Sequence, residues 1–295
     1  MRNSAEIVRK ALTHQDPEWV PRSELWISSE ILVKMGHKDT LEGLLSLRQQ
    51  LGMDVLFLPV SDTETFNFSQ SYRFFSVRDI PKALDLSNLF VAGIIDGPFQ
   101  RLVEEKGLLS VLNVWRKDNE TFLRQYRAKA ESVTKLVNNC METGIKLVVI
   151  ADDLAYELST YLNPLDSREF LVPFYHEIAQ TVHRNNGYML FHSCGNIKGL
   201  LPHLMSAGID GLAACQIQFA DLLSLKKNNS SLLFFAGIEP RHFSSDTFSD
   251  ALQGEFLDSV RELAKGGGFF LCSSCGLYNP EFVGRLRELY RLLEK

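Results

Sequence analysis

The chain has 295 residues, 45% of them hydrophobic, enough to bury one large core or two smaller ones. Its 31 Lys and Arg stand against 36 Asp and Glu, a formal charge of −5 with a pI near 5.8. The cations are scattered with no basic run, which excludes a nucleic-acid footprint. No stretch approaches the roughly 20 apolar residues of a membrane span. The polar start MRNSAEIVRKALTHQDPEW has no apolar segment of the kind a secretory signal needs. The expectation is a soluble, cytoplasmic protein with neither nucleic-acid nor membrane partners.

Short apolar segments alternate with longer ones of helical period. In chain order the predicted strands are SELWIS (23–28), MDVLFLPV (53–60), LFVAGIIDG (89–97), KLVVIADD (146–153), YMLFHSC (188–194), GLAACQ (211–216), LLFFAGIE (232–239) and GFFLCSS (268–274). Most are continuous apolar runs, as parallel strands covered on both faces should be. Between them lie amphipathic segments. Residues 166–187 carry Phe170, Phe174, Ile178 and Val182 at helical spacing, stopped by Asn185-Asn186-Gly187; 258–267 and 280–295 are similar. The stretch 98–145 holds two or three helices.

Eight strand–helix units in this length predict an α/β fold of the (β/α)8 TIM-barrel type. One domain is expected over 1–295, with a short helical N-terminal segment. The rival, a doubly wound open sheet, would want a Gly-rich phosphate turn after its first strand, and no GxGxxG is present.

In such a barrel the active site lies at the C-terminal ends of the strands. The predicted strands end at Ser61-Asp62, Asp96-Gly97, Asp152-Asp153, His192-Ser193-Cys194-Gly195-Asn196, Cys215-Gln216, Glu239-Pro240 and Cys272-Ser273-Ser274-Cys275-Gly276. Carboxylates, amides, one His and several Cys therefore gather at one rim.

His192 and Cys194 share parity on their strand, with Cα atoms roughly 6.5–7 Å apart. Both can reach one zinc ion, given Zn–N near 2.1 Å and Zn–S near 2.3 Å. A third ligand from the last strand would complete a Cys2His set with one position open, the mark of a catalytic site. Cys272 sits inside FFLC and reads as packing; Cys275 falls where strand gives way to loop and is preferred.

Blander readings compete at each position. Five cysteines are not a disulfide framework, and Cys140 and Cys215 read as core thiols. Cys272 and Cys275 form a CxxC without the helix start of a thioredoxin-like site. His176, His183 and His203 fall on predicted helices, and His14, His37 and His242 in polar surroundings. Of Asp152 and Asp153, one reads as a cap for the segment that follows and the other as facing the mouth.

HSCGNIKGLLPHLMSAGIDGLAACQ (192–216) resembles the corresponding stretch of the uroporphyrinogen decarboxylase superfamily, and more narrowly its zinc-dependent, corrinoid-linked methyltransferase branch. GGGFFLCSSCGLYNPEFV (266–283) is similar to that branch's late Cys-Gly segment. DDLAYELSTYLNPLDSREFLVPFYHEI (152–178) and FAGIEP (235–240) also match. The resemblance is clear from about 145 to 285 and weaker before that.

The resemblance implies a (β/α)8 barrel with zinc held by His192, Cys194 and Cys275. It implies methyl transfer between a corrinoid, on a partner protein or as free methylcobamide, and a zinc-activated thiol or similar acceptor. Asp153, Gln216 and Glu239 are then candidates for positioning substrate or supporting the ligands, one of them filling the open zinc position when substrate is absent.

The decarboxylases of the superfamily hold a tetrapyrrole's carboxylates with an N-terminal arginine-rich segment. Here VPRSELWISSEILVKMG offers Arg22 alone. Tetrapyrrole decarboxylation, hydrolysis by zinc-activated water and a non-catalytic metal- or corrinoid-binding barrel stand as the alternatives.

Overall fold

The computed structural model describes residues 3–62, 65–67, 71–243, 250–274 and 276–294, with side chains for all of these but 65–67, 219, 220, 250 and 251. Its strands are β1 (Val55–Ser61), β2 (Thr65–Asn67), β3 (Tyr72–Ser76), β4 (Phe90–Asp96), β5 (Leu147–Ala151), β6 (Tyr188–His192), β7 (Gly211–Ala213), β8 (Leu233–Ile238) and β9 (Phe269–Ser273). They lie in the order β2-β3-β1-β4-β5-β6-β7-β8-β9. All neighbours pair in parallel except β2 with β3. Eight parallel strands with helices between them make the α/β, (β/α)8 barrel expected. Three helices, Pro98–Lys106, Leu108–Lys117 and Asn119–Glu142, fill the long crossover between β4 and β5.

The pleat explains why the strand sequences are continuous apolar runs. Val55 and Phe57 of β1, Leu147 and Val149 of β5, Leu190 of β6, Phe235 of β8 and Phe270 of β9 turn to the barrel interior. Val8, Ala11 and Leu12 of the first helix, Ser4–Leu12, join that interior cluster. Their chain neighbours Leu56, Val148, Ile150, Met189, Phe191, Phe234 and Phe269 pack outward among the helices. Each strand thus needs apolar side chains at both parities.

The segment predicted as a first strand, 23–28, forms bridges instead of a ladder. Arg22 pairs with Leu271 and Ile27 with Leu277. Leu271 N–H donates to Pro21 O (2.8 Å) and Asp54 N–H to Arg22 O (2.8 Å), so the segment still joins β9 to β1. The reason is Arg48, whose side chain is fully buried. Its guanidinium donates to the carbonyls of Glu24 (2.5 Å), Leu25 (2.9 Å), Val55 (3.3 Å) and Phe57 (3.4 Å). These carbonyls are thereby taken from the ladder that two strands would have shared.

Two further departures are local. The hairpin β2–β3 was not foreseen. The strand predicted over 211–216 stops at Ala213, because Ala214 adopts φ 51°, outside the extended region. Among the described residues, no helix is long and apolar enough to cross a membrane.

Candidate metal centre

The parallel register of β5 and β6 pairs Ala151 with His192. The residues that follow each strand, Asp152-Asp153 and Ser193-Cys194, therefore leave the sheet side by side at its C-terminal end. Asp152 N–H donates to His192 O at 2.9 Å and continues the ladder for one step.

His192 is buried, its Nδ1 2.9 Å from Ala213 O. A carbonyl can only accept, so Nδ1 carries the proton and Nε2 presents its lone pair. Burial pulls the imidazole below its usual range, the nearby Asp153 and the backbone hydrogen bonds opposing it, which favours the neutral ring. The indole of Trp26 packs against it edge to face, ring centres 4.7 Å apart and planes at 69°.

Cys194 Sγ lies 3.8 Å from His192 Nε2. Asp153 Oδ1 lies 3.8 Å from the same nitrogen and accepts the Cys194 N–H at 2.7 Å. Among the described residues, Asp153, His192 and Cys194 form the group able to hold a metal ion, their ligand atoms all within 4.8 Å of one another. Tetrahedral zinc with the usual bond lengths would space its nitrogen and sulfur ligands roughly 3.6 Å apart. The residues fit the ion: a neutral imidazole with a pinned tautomer, a thiol and a carboxylate converge at about that spacing.

The remaining predicted residues fall in different places. Cys275 lies outside the described residues. Cys272 is fully buried in the barrel interior. Gln216 stands behind the site: its Oε1 accepts the Gly195 N–H at 3.3 Å and steadies the loop bearing Cys194. Glu239 follows β8, pairs with Arg241 at 3.0 Å and caps the short turn Pro240–His242. His242, read from the sequence as polar in its surroundings, is fully buried beside Phe256, with Nδ1 accepting the Glu239 N–H at 2.9 Å. Burial and neighbouring Arg241 push its pKa down to about 4.

Asp152 does cap a helix, but not the segment that follows it. Its carboxylate accepts the Phe99 and Gln100 N–H groups at 3.2 and 2.6 Å, at the start of helix Pro98–Lys106, and the Tyr175 hydroxyl at 2.6 Å. The N-cap of that helix, Gly97, has no side chain to do this; a Cβ there would stand 2.3 Å from the Asp152 carboxyl.

A cavity of about 240 Å3 opens beside the centre, bounded by Trp26, Tyr72, Asp96, Gln100, Ala151, Asp153, His192, Cys194 and Tyr278. Sequence reasoning placed Asp96 at the rim without assigning it a role. It missed the aromatic residues, since Tyr72 lies on the unforeseen hairpin and Tyr278 in a loop without periodicity. Arg22 points elsewhere: it is buried against Gly52 O (2.8 Å), Tyr290 O (2.7 Å) and Glu294 (2.5 Å).

Comparison with known proteins agrees with this architecture. The chain resembles a methyltransferase from Methanosarcina mazei at 15% identity, TM-score 0.72, over all of both chains. It resembles a sugar phosphate isomerase/epimerase from Parabacteroides distasonis at 10% identity, TM-score 0.55, over 92% of this chain and 95% of the other. A D-tagatose 3-epimerase-like protein matches at 12% identity, TM-score 0.52, over 90% and 95%. At these identities the likeness is one of fold. No curated protein matches the chain. The family model for uroporphyrinogen decarboxylase (URO-D) matches residues 74–222, half of the chain, from β3 past the His192–Cys194 loop. The chain belongs to the uroporphyrinogen decarboxylase (URO-D) family.

Proposed function

We propose that this protein is a zinc-dependent methyltransferase that moves a methyl group between a corrinoid carrier and a small thiol. The observation that carries the reading is the convergence of His192 Nε2, Cys194 Sγ and Asp153 Oδ1 within 4.8 Å at the C-terminal end of the barrel strands. In this reading His192, Cys194 and Cys275 hold the ion. Zinc, when bound, supplies the charge that keeps a substrate thiol deprotonated at neutral pH, where a free thiol with a pKa near 8.5 is mostly protonated.

The rest of the work falls to the protein. Ala213 O fixes the tautomer of His192 and aims Nε2 at the centre. Asp153 holds the Cys194 backbone through its N–H, and its carboxylate is placed to occupy the open ligand position when no substrate is there. Gln216 tethers Gly195 in the same loop. Glu239, at the end of β8, is assigned to support around the mouth. The methyl carrier is a corrinoid protein or free methylcobamide that docks at this face.

Two features weigh against tetrapyrrole decarboxylation. Arg22 is committed to backbone carbonyls and Glu294, and no Lys or Arg is among the described residues that bound the cavity. Among these described residues a substrate with many carboxylates has no cation to pair with.

Metal content and methyl transfer test the proposal together. Purified protein should carry about one zinc per chain, lost in Cys275→Ala and kept in Cys272→Ala. Incubation with methylcobalamin and a panel of thiols should then change the cobalt spectrum in a zinc-dependent way. Zinc kept in Cys275→Ala and lost in Cys272→Ala would overturn the ligand set. Zinc-independent or absent demethylation with every acceptor would overturn the activity.

A further inference from the structure

We infer that the thiol this site accepts carries a positively charged ammonium group, seated beside the metal centre against Asp96 and the rings of Trp26, Tyr72 and Tyr278. The inference rests on the zinc–thiol reading above and adds the charge of the substrate to it.

The first ground is the composition of the cavity wall. Apart from the candidate ligands and the small Ala151, it consists of three aromatic side chains, Asp96 and Gln100. Aromatic rings with a carboxyl group are the chemistry that receives organic cations. A cavity of about 240 Å3 lies below the roughly 300–1,000 Å3 of sites for drug-sized ligands, so its occupant is small.

The second ground is charge. No described residue bounding the cavity is a Lys or Arg. Of the residues whose side chains are not described, 63–70, 219–220, 244–251 and 275 contain neither Lys nor Arg in the sequence, and the cations among the rest are Arg2 and Lys295 at the two ends of the chain. Arg101, in the adjoining pocket that Asp96 also bounds, is engaged by Asp96 O (3.0 Å), Asp62 (3.3 Å) and Ser132 (3.3 Å). A sulfonate or carboxylate on the substrate would meet acidic groups and, among the described residues bounding the cavity, no Lys or Arg.

The third ground is Asp96 itself. It ends β4, is 8% exposed, and its carboxyl accepts no hydrogen bond from a described residue. Its neighbour Asp152 is satisfied by three donors, whereas Asp96 faces a cavity with no hydrogen-bond donor to its carboxyl among the described residues. Burial pushes Asp96 up to about 8, with Glu104, Asp152 and Asp153 adding to the rise against Arg101. An arriving ammonium would supply the missing partner: the carboxyl gives up its proton and a charge-assisted hydrogen bond replaces the uncompensated burial.

The test uses the full-length protein with Co2+ in place of zinc, so that thiol binding is read from the sulfur-to-cobalt absorption without turnover. The probes are cysteamine, 2-mercaptoethanol and 2-mercaptoethanesulfonate, which differ in the charge of one end. Cysteamine should bind at least about tenfold tighter than 2-mercaptoethanol, and the sulfonate more weakly than either. Asp96→Asn should abolish the preference for cysteamine and leave 2-mercaptoethanol unchanged. Tyr278→Leu, at a partly exposed position, should reduce the same preference and covers the case in which the Asp96 variant fails to fold. If 2-mercaptoethanol binds and cysteamine binds no better, or the sulfonate binds best, the inference fails while the zinc–thiol reading stands. If no thiol alters the spectrum, that reading fails and this inference falls with it.

Discussion

Replacing Asp152 with Ala removes an acceptor that three groups share. The Phe99 and Gln100 amides and the Tyr175 hydroxyl all donate to it, and Phe99 and Tyr175 are fully buried, so water cannot take over. Loss of the cap on helix Pro98–Lys106 costs about 1 kcal/mol. A stranded buried amide or hydroxyl costs about 1–3 kcal/mol more. The expected loss is about 2–4 kcal/mol, measured by urea denaturation. Asp152→Asn keeps one acceptor oxygen and should lose about 1–2 kcal/mol at pH 5.5. The pH dependence is the sharper test. Burial pushes Asp152 up to about 7, the hydrogen bonds opposing this only in part. A carboxyl raised in the folded state binds more protons folded than unfolded between about pH 4 and 7. Its contribution is complete below that window and is lost as pH rises through about 7, at up to about 1.4 kcal/mol per pH unit. Asn has no proton to lose, so the advantage of Asp over Asn should shrink by about 2 kcal/mol between pH 5.5 and 8. An advantage that grows with pH, or an Ala variant less than about 1 kcal/mol destabilised, would refute the assignment of Asp152 as a buried, satisfied cap.

Two further substitutions probe the barrel and the site loop. Arg48→Met strands the Glu24 and Leu25 carbonyls and removes the charge opposite buried Glu24, whose pKa burial already raises to about 7; chemical denaturation should show a loss of about 3–5 kcal/mol, and a loss below about 1 kcal/mol would mean segment 23–28 is held otherwise. Gly195→Ala forces a side chain into φ 80° with its Cβ 2.6 Å from Tyr156 O; the loop must shift, and zinc affinity in a chelator competition should fall by about tenfold with the fold retained by circular dichroism, whereas unchanged affinity would detach Cys194 from the metal.

Much of this was legible in the sequence. Seven of the eight predicted strands lie where apolar runs of both parities placed them, because a parallel strand buried on both faces must be apolar throughout. The pairing of His192 with Cys194 was legible for a related reason, since a period of two puts both on one side of the strand. The strand predicted at 23–28 failed on Arg48, a residue 20 positions away from its end, which periodicity cannot see. The same blindness hid the hairpin β2–β3, and with it Tyr72.

Local pattern, then, determined the barrel, the rim on which the chemistry gathers, and two of the three proposed ligands. The tertiary structure alone showed the partners of the two adjacent aspartates. Asp152 turns back to cap the helix after β4, while Asp153 meets His192 and Cys194. It alone brought Asp96, Trp26, Tyr72 and Tyr278 to one cavity. The physical reason is range. Hydrophobic period and strand parity are properties of consecutive residues, whereas the partner of a buried charge and the wall of a cavity are set by chain segments that meet only when the barrel closes.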